Sequence, residues 1–478
     1  MGGAWIKKTQ AAGFNLNKLC SVEGYVPWTI VDIPVGSSVR WRIYPSNNSW
    51  EYISSIQTVE KSYCSVLGNQ INSVGINYEC LKSGASQIWG IAPDPSLTFV
   101  PPVMSHLLSS TPCQLPYTGP YDGTITTGFP HSSDTLPTSG TINAIVVFED
   151  FTDAKSTDDI AVRAKTLENA LANFYSSDSY GKVNFNFTTY PNVIHVNELS
   201  SIFGMQNPGS GDLQALVKAE QLAASPFVDF SKYTMMYVVL PSTATQINDS
   251  LPIPLSYLNM MLPGNPLKFM VTLGPDSWKP QYWTIPLHET GHLFGLYHPW
   301  PNGEWDVVGV AGENSASFSA PGLLGWNKWL LNWVIDSQVA CIDATTSVQS
   351  TYNYLISPLE VNTDSVKLVV IKIGPTKAIV IESRRSIGTD LFPKQYEGAL
   401  IYLVDTSKDG DLNLNDSSVK LLVDTSYTGV GVDGNMYTTP VGTLRAGQSI
   451  TYQGQTIKIQ SNTSGGDYVQ ITTGTVTG

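Results

Sequence analysis

Charge is scarce in this chain. Only 14% of its 478 residues are Asp, Glu, Lys or Arg, against about a quarter in an ordinary soluble domain. That composition excludes a coiled coil, and it excludes collagen. The charge that is present leans acidic, with a formal net value of −13. Phosphate backbones and anionic headgroups are therefore repelled, and nucleic acid is excluded as a partner. Nothing approaches the roughly 18 consecutive apolar residues of a spanning helix, and a strong run such as 235–240 has only the length of a strand. The opening MGGAWIKKTQ lacks the apolar core of a secretory signal. This leaves a cytosolic protein or an exported one whose signal has been removed, and the second is the expectation. Cysteine is also sparse: Cys20, Cys64, Cys80, Cys113 and Cys341, with no CxxC spacing. A cysteine zinc site or thioredoxin-like motif is thereby unsupported. Two disulfides in the first quarter with Cys341 alone, or five buried thiols, are the alternatives.

What is abundant points to a globular, turn-rich protein of two to four domains. Apolar residues make up 42% of the chain, and 40 Gly and 30 Pro punctuate it. Residues 1–110 alternate short β-like runs (25–35, 38–44, 87–91) with Asn, Ser and Gly turns, and read as a β-rich accessory or pro-domain. Residues 111–140 are dense in Pro, Gly, Ser and Thr and read as a linker. An α/β grammar begins at 141. Strands are expected at 142–148, 183–190 and 233–240, and helices at 157–176, 212–224, 285–294 and 320–333. From about 336 helices disappear. Seven short strands (366–373, 378–383, 399–404, 419–424, 449–452, 455–459, 468–472) suggest a β-sandwich over 336–478. Sequons at Asn47, Asn186, Asn248, Asn415 and Asn462 settle nothing by themselves.

The chemistry concentrates in residues 288–298, HETGHLFGLYH, where three of the six histidines fall. Residues four apart on a helix share a face, so His288 and His292 offer imidazole nitrogens to one Zn²⁺. Glu289 is rotated beside them, able to act as a general base on a nearby water without ligating the metal. Gly295 can end the helix and turn the chain back, which brings His298 round as third ligand. Paired histidines on a helix are more often a solvated face, but five specified positions within eleven residues weigh against chance here.

The full signature HExxHxxGxxH, carried by His288, Glu289, His292, Gly295 and His298, resembles that of the metzincin clan of zinc endopeptidases. A narrower resemblance, to the immune inhibitor A family of secreted bacterial metallopeptidases, rests on INAIVVFEDF, SYGKVNF, VDFSKY, EWDVVG, IVIESRR and GALIYLVD. The resemblance implies peptide-bond hydrolysis, a protein or peptide substrate, and an extracellular enzyme whose catalytic domain precedes a β-rich segment. Metzincins place a methionine in a turn beneath the zinc. The corresponding position here is Val308, and no Met occurs between His298 and Met436. The tyrosine that steadies the oxyanion in some clan members has no counterpart, because no Tyr occurs from Pro299 to Thr351. Glu304 and Asp306 rank second to His298 as third ligand.

Residues 405–416, DTSKDGDLNLND, align with a calcium loop through Asp405, Ser407, Asp409, Asp411, Asn413 and Asp416, with Gly410 at the turn. Strand-like flanks argue for an acidic hairpin instead. His106, His131 and His195 read as surface or satisfied core groups. Trp326, Trp329 and Trp333 read as packing. Cys113 is a candidate thiolate latch on the zinc. The expected architecture is multidomain α+β: a metzincin-like α/β catalytic domain over 141–335, flanked by an N-terminal β-rich domain and a C-terminal β-sandwich. The expected function is a zinc endopeptidase, with calcium as a second candidate ion and glycan or cell-surface contact open to the β domains. The rival is a non-catalytic extracellular binding or surface-layer protein that retains the zinc site.

Overall fold

A computed structural model divides the chain into two compact units, Met1–Val100 and Pro101–Gly478. In the first unit it describes the backbone of six strands. In the second it describes all residues except 120–124, 208–209, 279–283, 300–304, 310–320, 347–348, 389, 391, 393, 409–416, 424–425, 431–435, 441 and 477–478. The six strands form two antiparallel three-stranded sheets: β1 Ile30–Asp32, β2 Val39–Ile43 and β3 Trp50–Ser55, then β4 Gln70–Ser73, β5 Ile76–Ser83 and β6 Ser86–Ile91.

The second unit opens on a mixed sheet built from β7 Gly140–Asp150, β8 Val183–His195, β9 Met235–Val239, β10 Leu251–Pro254 and β11 Phe269–Leu273, in the order β10-β11-β9-β7-β8. Every pairing is parallel except β10 with β11. A central parallel strand is covered on both faces, which is why β7 reads as a continuous apolar run. Its side chains alternate between two cores. Ile142, Ala144, Val146 and Phe148 meet helices α1 (Ile160–Asp178) and α3 (Ile285–Leu293), while Ile145 and Val147 meet α2 (Leu213–Ala224). Asp159 and Asp212 cap α1 and α2 by accepting from the backbone N–H of Val162 and Ala215.

β10 and β11 escaped the sequence reading. Proline at 252 and 254 conceals a strand, since an interior strand tolerates none. Both prolines are accommodated because β10 is the sheet edge. The Leu255 N–H donates to the Lys268 carbonyl at 2.9 Å, so by alternation the backbones of Pro252 and Pro254 face away from β11.

Beyond α4 (Gly325–Leu330) the chain is β-rich. β12 Val339–Asp343, β14 Leu368–Lys372, β15 Lys377–Arg384, β16 Gly398–Asp405 and β17 Val419–Leu421 form one sheet, with β20 Thr443–Leu444 also pairing β16. β13 Thr351–Ile356, β21 Ser449–Tyr452, β22 Gln455–Thr463 and β23 Gly466–Thr472 form another, and β18 Ser426–Val430 pairs β19 Met436–Pro440. One face of the larger sheet (Ile342, Val369, Ile379, Ile401) shares a core with Tyr354, Ile457 and Ile471 of the smaller. The other face (Val370, Val380, Tyr402) packs on Leu324, Trp326 and Trp329 around α4. The larger sheet is therefore apolar on both sides.

Three expectations are corrected. The helix expected over 320–333 spans only Gly325–Leu330, because the N–H groups just before it bond to side chains and Asn332 takes a left-handed φ of 58° after it. Residues 111–140 are not a free spacer: Cys113, Leu115 and Leu136 are buried. The cysteine assignment also changes. Cys113 and Cys341 form a disulfide with a Cα–Cα distance of 5.8 Å, so Cys341 is not alone and Cys113 offers no thiolate to a metal. Cys20, Cys64 and Cys80 lie outside the described side chains.

Candidate metal centre

The centre is built on α3. Thr284 precedes the helix and Pro286 sits in its first turn, where a missing N–H matters least. The helix is buried on all sides, as its composition, with two polar imidazoles and a carboxyl among apolar residues, would not suggest for a lone surface helix. It ends where the sequence places its stop: Gly295 has φ 82°, its N–H donates to the His292 carbonyl at 2.8 Å, and the Leu296 N–H donates to the Gly291 carbonyl. This left-handed turn returns the chain so that His298 faces the helix.

The Nε2 atoms of His288, His292 and His298 lie 2.9, 3.0 and 3.1 Å from one another. His288 Nδ1 lies 3.1 Å from the Val307 carbonyl and His292 Nδ1 lies 2.8 Å from the Leu296 carbonyl. A carbonyl only accepts, so each Nδ1 carries the proton and each Nε2 presents a lone pair. Lone pairs aimed at one point repel unless a cation lies between them. Tetrahedral zinc at about 2.0–2.1 Å from each nitrogen spaces the nitrogens about 3.3 Å apart, so the donor set fits zinc after opening by a few tenths of an ångström. Among the described residues this is the one group of three His, Cys, Asp or Glu side chains able to hold a metal ion.

Glu289 is also buried, one residue on from His288 in the same helix. The floor beneath comes from Val307–Gly309, a single 3₁₀ turn. Val308 is fully buried and its Cγ2 lies 2.3 Å from where a Cβ on Gly291 would stand. Val308 thus presses on the backbone of the helix that carries His288 and His292. From α1 the Tyr175 hydroxyl donates to the Leu287 carbonyl at 2.6 Å, and from β9 the Tyr237 hydroxyl meets Thr290 Oγ1 at 2.7 Å. Burial raises the pKa of both phenols, keeping them neutral.

Asp306 is not a ligand. Its Oδ1 accepts from the Val308 N–H at 2.9 Å, and its Oδ2 accepts from the Leu324 N–H and from Asn327 Nδ2, both at 2.8 Å. Burial pushes its pKa up to about 7 against those three hydrogen bonds, which pull it down. Glu304 lies outside the described residues. The sequence reading missed Asp306 as the holder of the turn, since a carboxylate's partners across 18 residues leave no local signal. It also missed the 111–140 segment, which binds the end of α3: the Thr126 N–H donates to the Gly295 carbonyl, the Leu136 N–H to the Leu293 carbonyl, and His131 Nε2 lies 2.7 Å from the Phe294 carbonyl. His131 and His195 are thereby satisfied, the latter on Asp150. His106 is not among the metal ligands.

Calcium finds no support at the second candidate. Asp409, Asp411, Asn413 and Asp416 lie outside the described residues. Asp405 Oδ1 accepts from the Ser407 N–H and hydroxyl, and Asp405 Oδ2 lies 3.6 Å from Lys377 Nζ. Trp326, Trp329 and Trp333 are buried packing residues.

Residues 150–379 match the family model of gametolysin peptidase M11. The match supports a zinc metallopeptidase of the metzincin clan over this region. The narrower likeness to the immune inhibitor A family remains a resemblance of motifs, for the match is to M11. No curated protein matches the chain. The M11 match does not stop at the end of the α/β part. It runs on through β12 and β14 into β15. The enzyme is a metalloendopeptidase, and no described helix is long and apolar enough to cross a membrane.

Proposed function

We propose that the chain is a secreted zinc-dependent endopeptidase in which His288, His292 and His298 hold the metal and Glu289 is the general base. The convergence of three Nε2 atoms within about 3 Å, two of them with the proton held on the far nitrogen by a backbone carbonyl, carries this reading. A zinc ion held there supplies Lewis-acid activation of water and of a peptide carbonyl. His288 and His292 keep their Nδ1 protons on backbone carbonyls, which holds the rings in ligating orientation. Glu289 accepts a proton from the attacking water and delivers it to the leaving amine. Burial of the α3 face limits bulk water around that transfer.

Secretion is supported by the Cys113–Cys341 disulfide, because such bonds persist in oxidising compartments. The shared core of the two C-terminal sheets supports a β-sandwich reading of 336–478. Contact of the β-rich parts with glycan or a cell surface is a further proposal. It fails if the chain shows no retention on intact cell walls.

The test of the enzyme is hydrolysis of casein by the zinc-loaded full chain, compared with Glu289→Ala and His298→Ala. Glu289→Ala is expected to bind zinc normally and lose hydrolysis by about 10²-fold or more, while His298→Ala weakens zinc retention. Equal hydrolysis by Glu289→Ala would remove that residue as the base. Zinc binding without any hydrolysis would move the binding-protein reading ahead.

A further inference from the structure

The backbone of residues 322–326 is buried and enters α4 without the hydrogen bonds of a preceding helical turn. Each of its five consecutive N–H groups instead donates to a side chain from a different place in the chain. Gly322 donates to Asp390 (2.6 Å), Leu323 to Asp178 (3.1 Å), Leu324 to Asp306 (2.8 Å), Gly325 to Glu382 (2.7 Å) and Trp326 to the Tyr402 hydroxyl (3.1 Å). Three of the acceptors are tied to one another, and a fourth is paired with a lysine of α4. Tyr402 donates to Glu382 at 2.7 Å, Arg384 bridges Glu382 (2.9 Å) and Asp390 (2.5 Å), and Lys328 pairs with Asp178 at 2.7 Å. A Cβ on Gly325 would stand 2.2 Å from Leu368 and 2.6 Å from Glu382 Oε2, so the contact with the sheet demands glycine.

Two of these acceptors tie neighbouring residues of the strip to different parts of the fold. Glu382 on β15 belongs to the C-terminal sheet. Asp306 holds the Val308 N–H, Val307 offers its carbonyl to His288 Nδ1, and Val308 packs on Gly291. A continuous chain of buried contacts therefore runs from β15 through residues 324–325 to Asp306 and the His288 ring. On the reading that the three histidines hold zinc, we infer that Asp306, Glu382 and Tyr402 are positioning residues. The C-terminal sheet is thus a working part of the peptidase that sets the turn under the metal, rather than an appended module.

The experiment measures zinc release from the full chain to a chelating indicator dye, which needs no hydrolysis, alongside kcat and KM on a peptide. Tyr402→Phe, which removes one hydroxyl from the strip, and Glu382→Gln are compared with Val469→Ala, a core substitution in the smaller sheet away from the strip. Partners of ligating histidines typically change metal affinity by 10–100-fold, and at one further remove about fivefold to tenfold faster release is expected. kcat should fall with KM unchanged. Val469→Ala should lower the thermal midpoint and leave zinc release at the wild-type rate. The inference is overturned if the strip variants release zinc like the wild type, or if Val469→Ala releases it as fast as they do. Should Glu382→Gln fail to fold, Tyr402→Phe alone decides. Altered release in a chain that hydrolyses nothing supports the positioning roles while refuting the proposed activity, and a chain that holds no zinc refutes both.

Discussion

Gly291→Ala puts a methyl group where Val308 Cγ2 already stands, at 2.3 Å from the new carbon. In an exposed helix interior the same change would gain about 0.5–1 kcal/mol from reduced chain freedom. Here the overlap forces either α3 or the 307–309 turn to shift, and overpacking of this kind costs about 1–3 kcal/mol. Net destabilisation of about 1–2 kcal/mol is expected. Val308→Ala alone loses two buried methyl groups, about 1.6 kcal/mol of transfer free energy, and leaves a cavity that brings the loss to about 2–3 kcal/mol. In the double variant the methyl at 291 enters the space vacated at 308. The two losses should therefore not add, and a coupling of about 1–2 kcal/mol in the favourable direction is expected. Urea unfolding of the metal-free protein, followed by the fluorescence of buried tryptophans, measures all four corners of the cycle. Zinc release from the same proteins should quicken in Gly291→Ala and recover in part in the double variant, because His288 and His292 flank position 291. Additivity within about 0.5 kcal/mol would refute the contact between turn and helix, and with it the role given to Val308.

Glu149 and Glu220 are fully buried, three of their four carboxyl oxygens lack hydrogen-bond partners, and only Glu220 Oε2 is engaged, by Thr272. Burial raises both pKa values, Glu220 to about 8, and the charge of Glu220 raises Glu149 further. Raised folded values mean the native state holds protons that the unfolded chain releases, so stability is greatest below the ordinary value near 4.5 and declines as pH climbs to about 8. Unfolding free energies from urea titrations at pH 5 and pH 9 should differ by an amount on the order of a few kcal/mol, and Glu149→Gln should flatten the difference; an unchanged difference in that variant would locate the effect elsewhere. Replacing Cys113 and Cys341 together by serine removes a crosslink across 228 residues. A loss of about 2–4 kcal/mol is expected in denaturant unfolding, with no burst of new hydrolysis, and activation by the serine variant would revive the latch. Reduction of wild type should reproduce the loss.

Much of the α/β part was legible because its signals are local. Apolar stripes at helical spacing located α1 and α2 to within a few residues, and a continuous apolar run located β7, because a parallel strand covered on both faces needs no polar alternation. β10 was hidden by its prolines, which only an edge position permits. β12 was hidden inside a stretch read as a boundary, since its partner β14 lies more than twenty residues on. The short α4 was read as a long helix because its flanking residues are apolar, whereas their N–H groups bond to carboxylates brought in from elsewhere.

The sequence by itself determined which three histidines come together. Two histidines four apart, a glycine to reverse the chain and a third histidine three residues later are constraints of helix geometry within eleven residues, and no distant partner is needed to read them. Tertiary structure alone decided what holds those imidazoles in place. Asp306 lies near them in the chain, but its partners Leu324 and Asn327, and the Glu382 and Tyr402 groups beyond, are joined only when sheet, helix and turn pack together. The same is true of Cys113 and Cys341. A buried polar group must find a partner wherever the fold brings one, and its identity is a property of packing rather than of spacing.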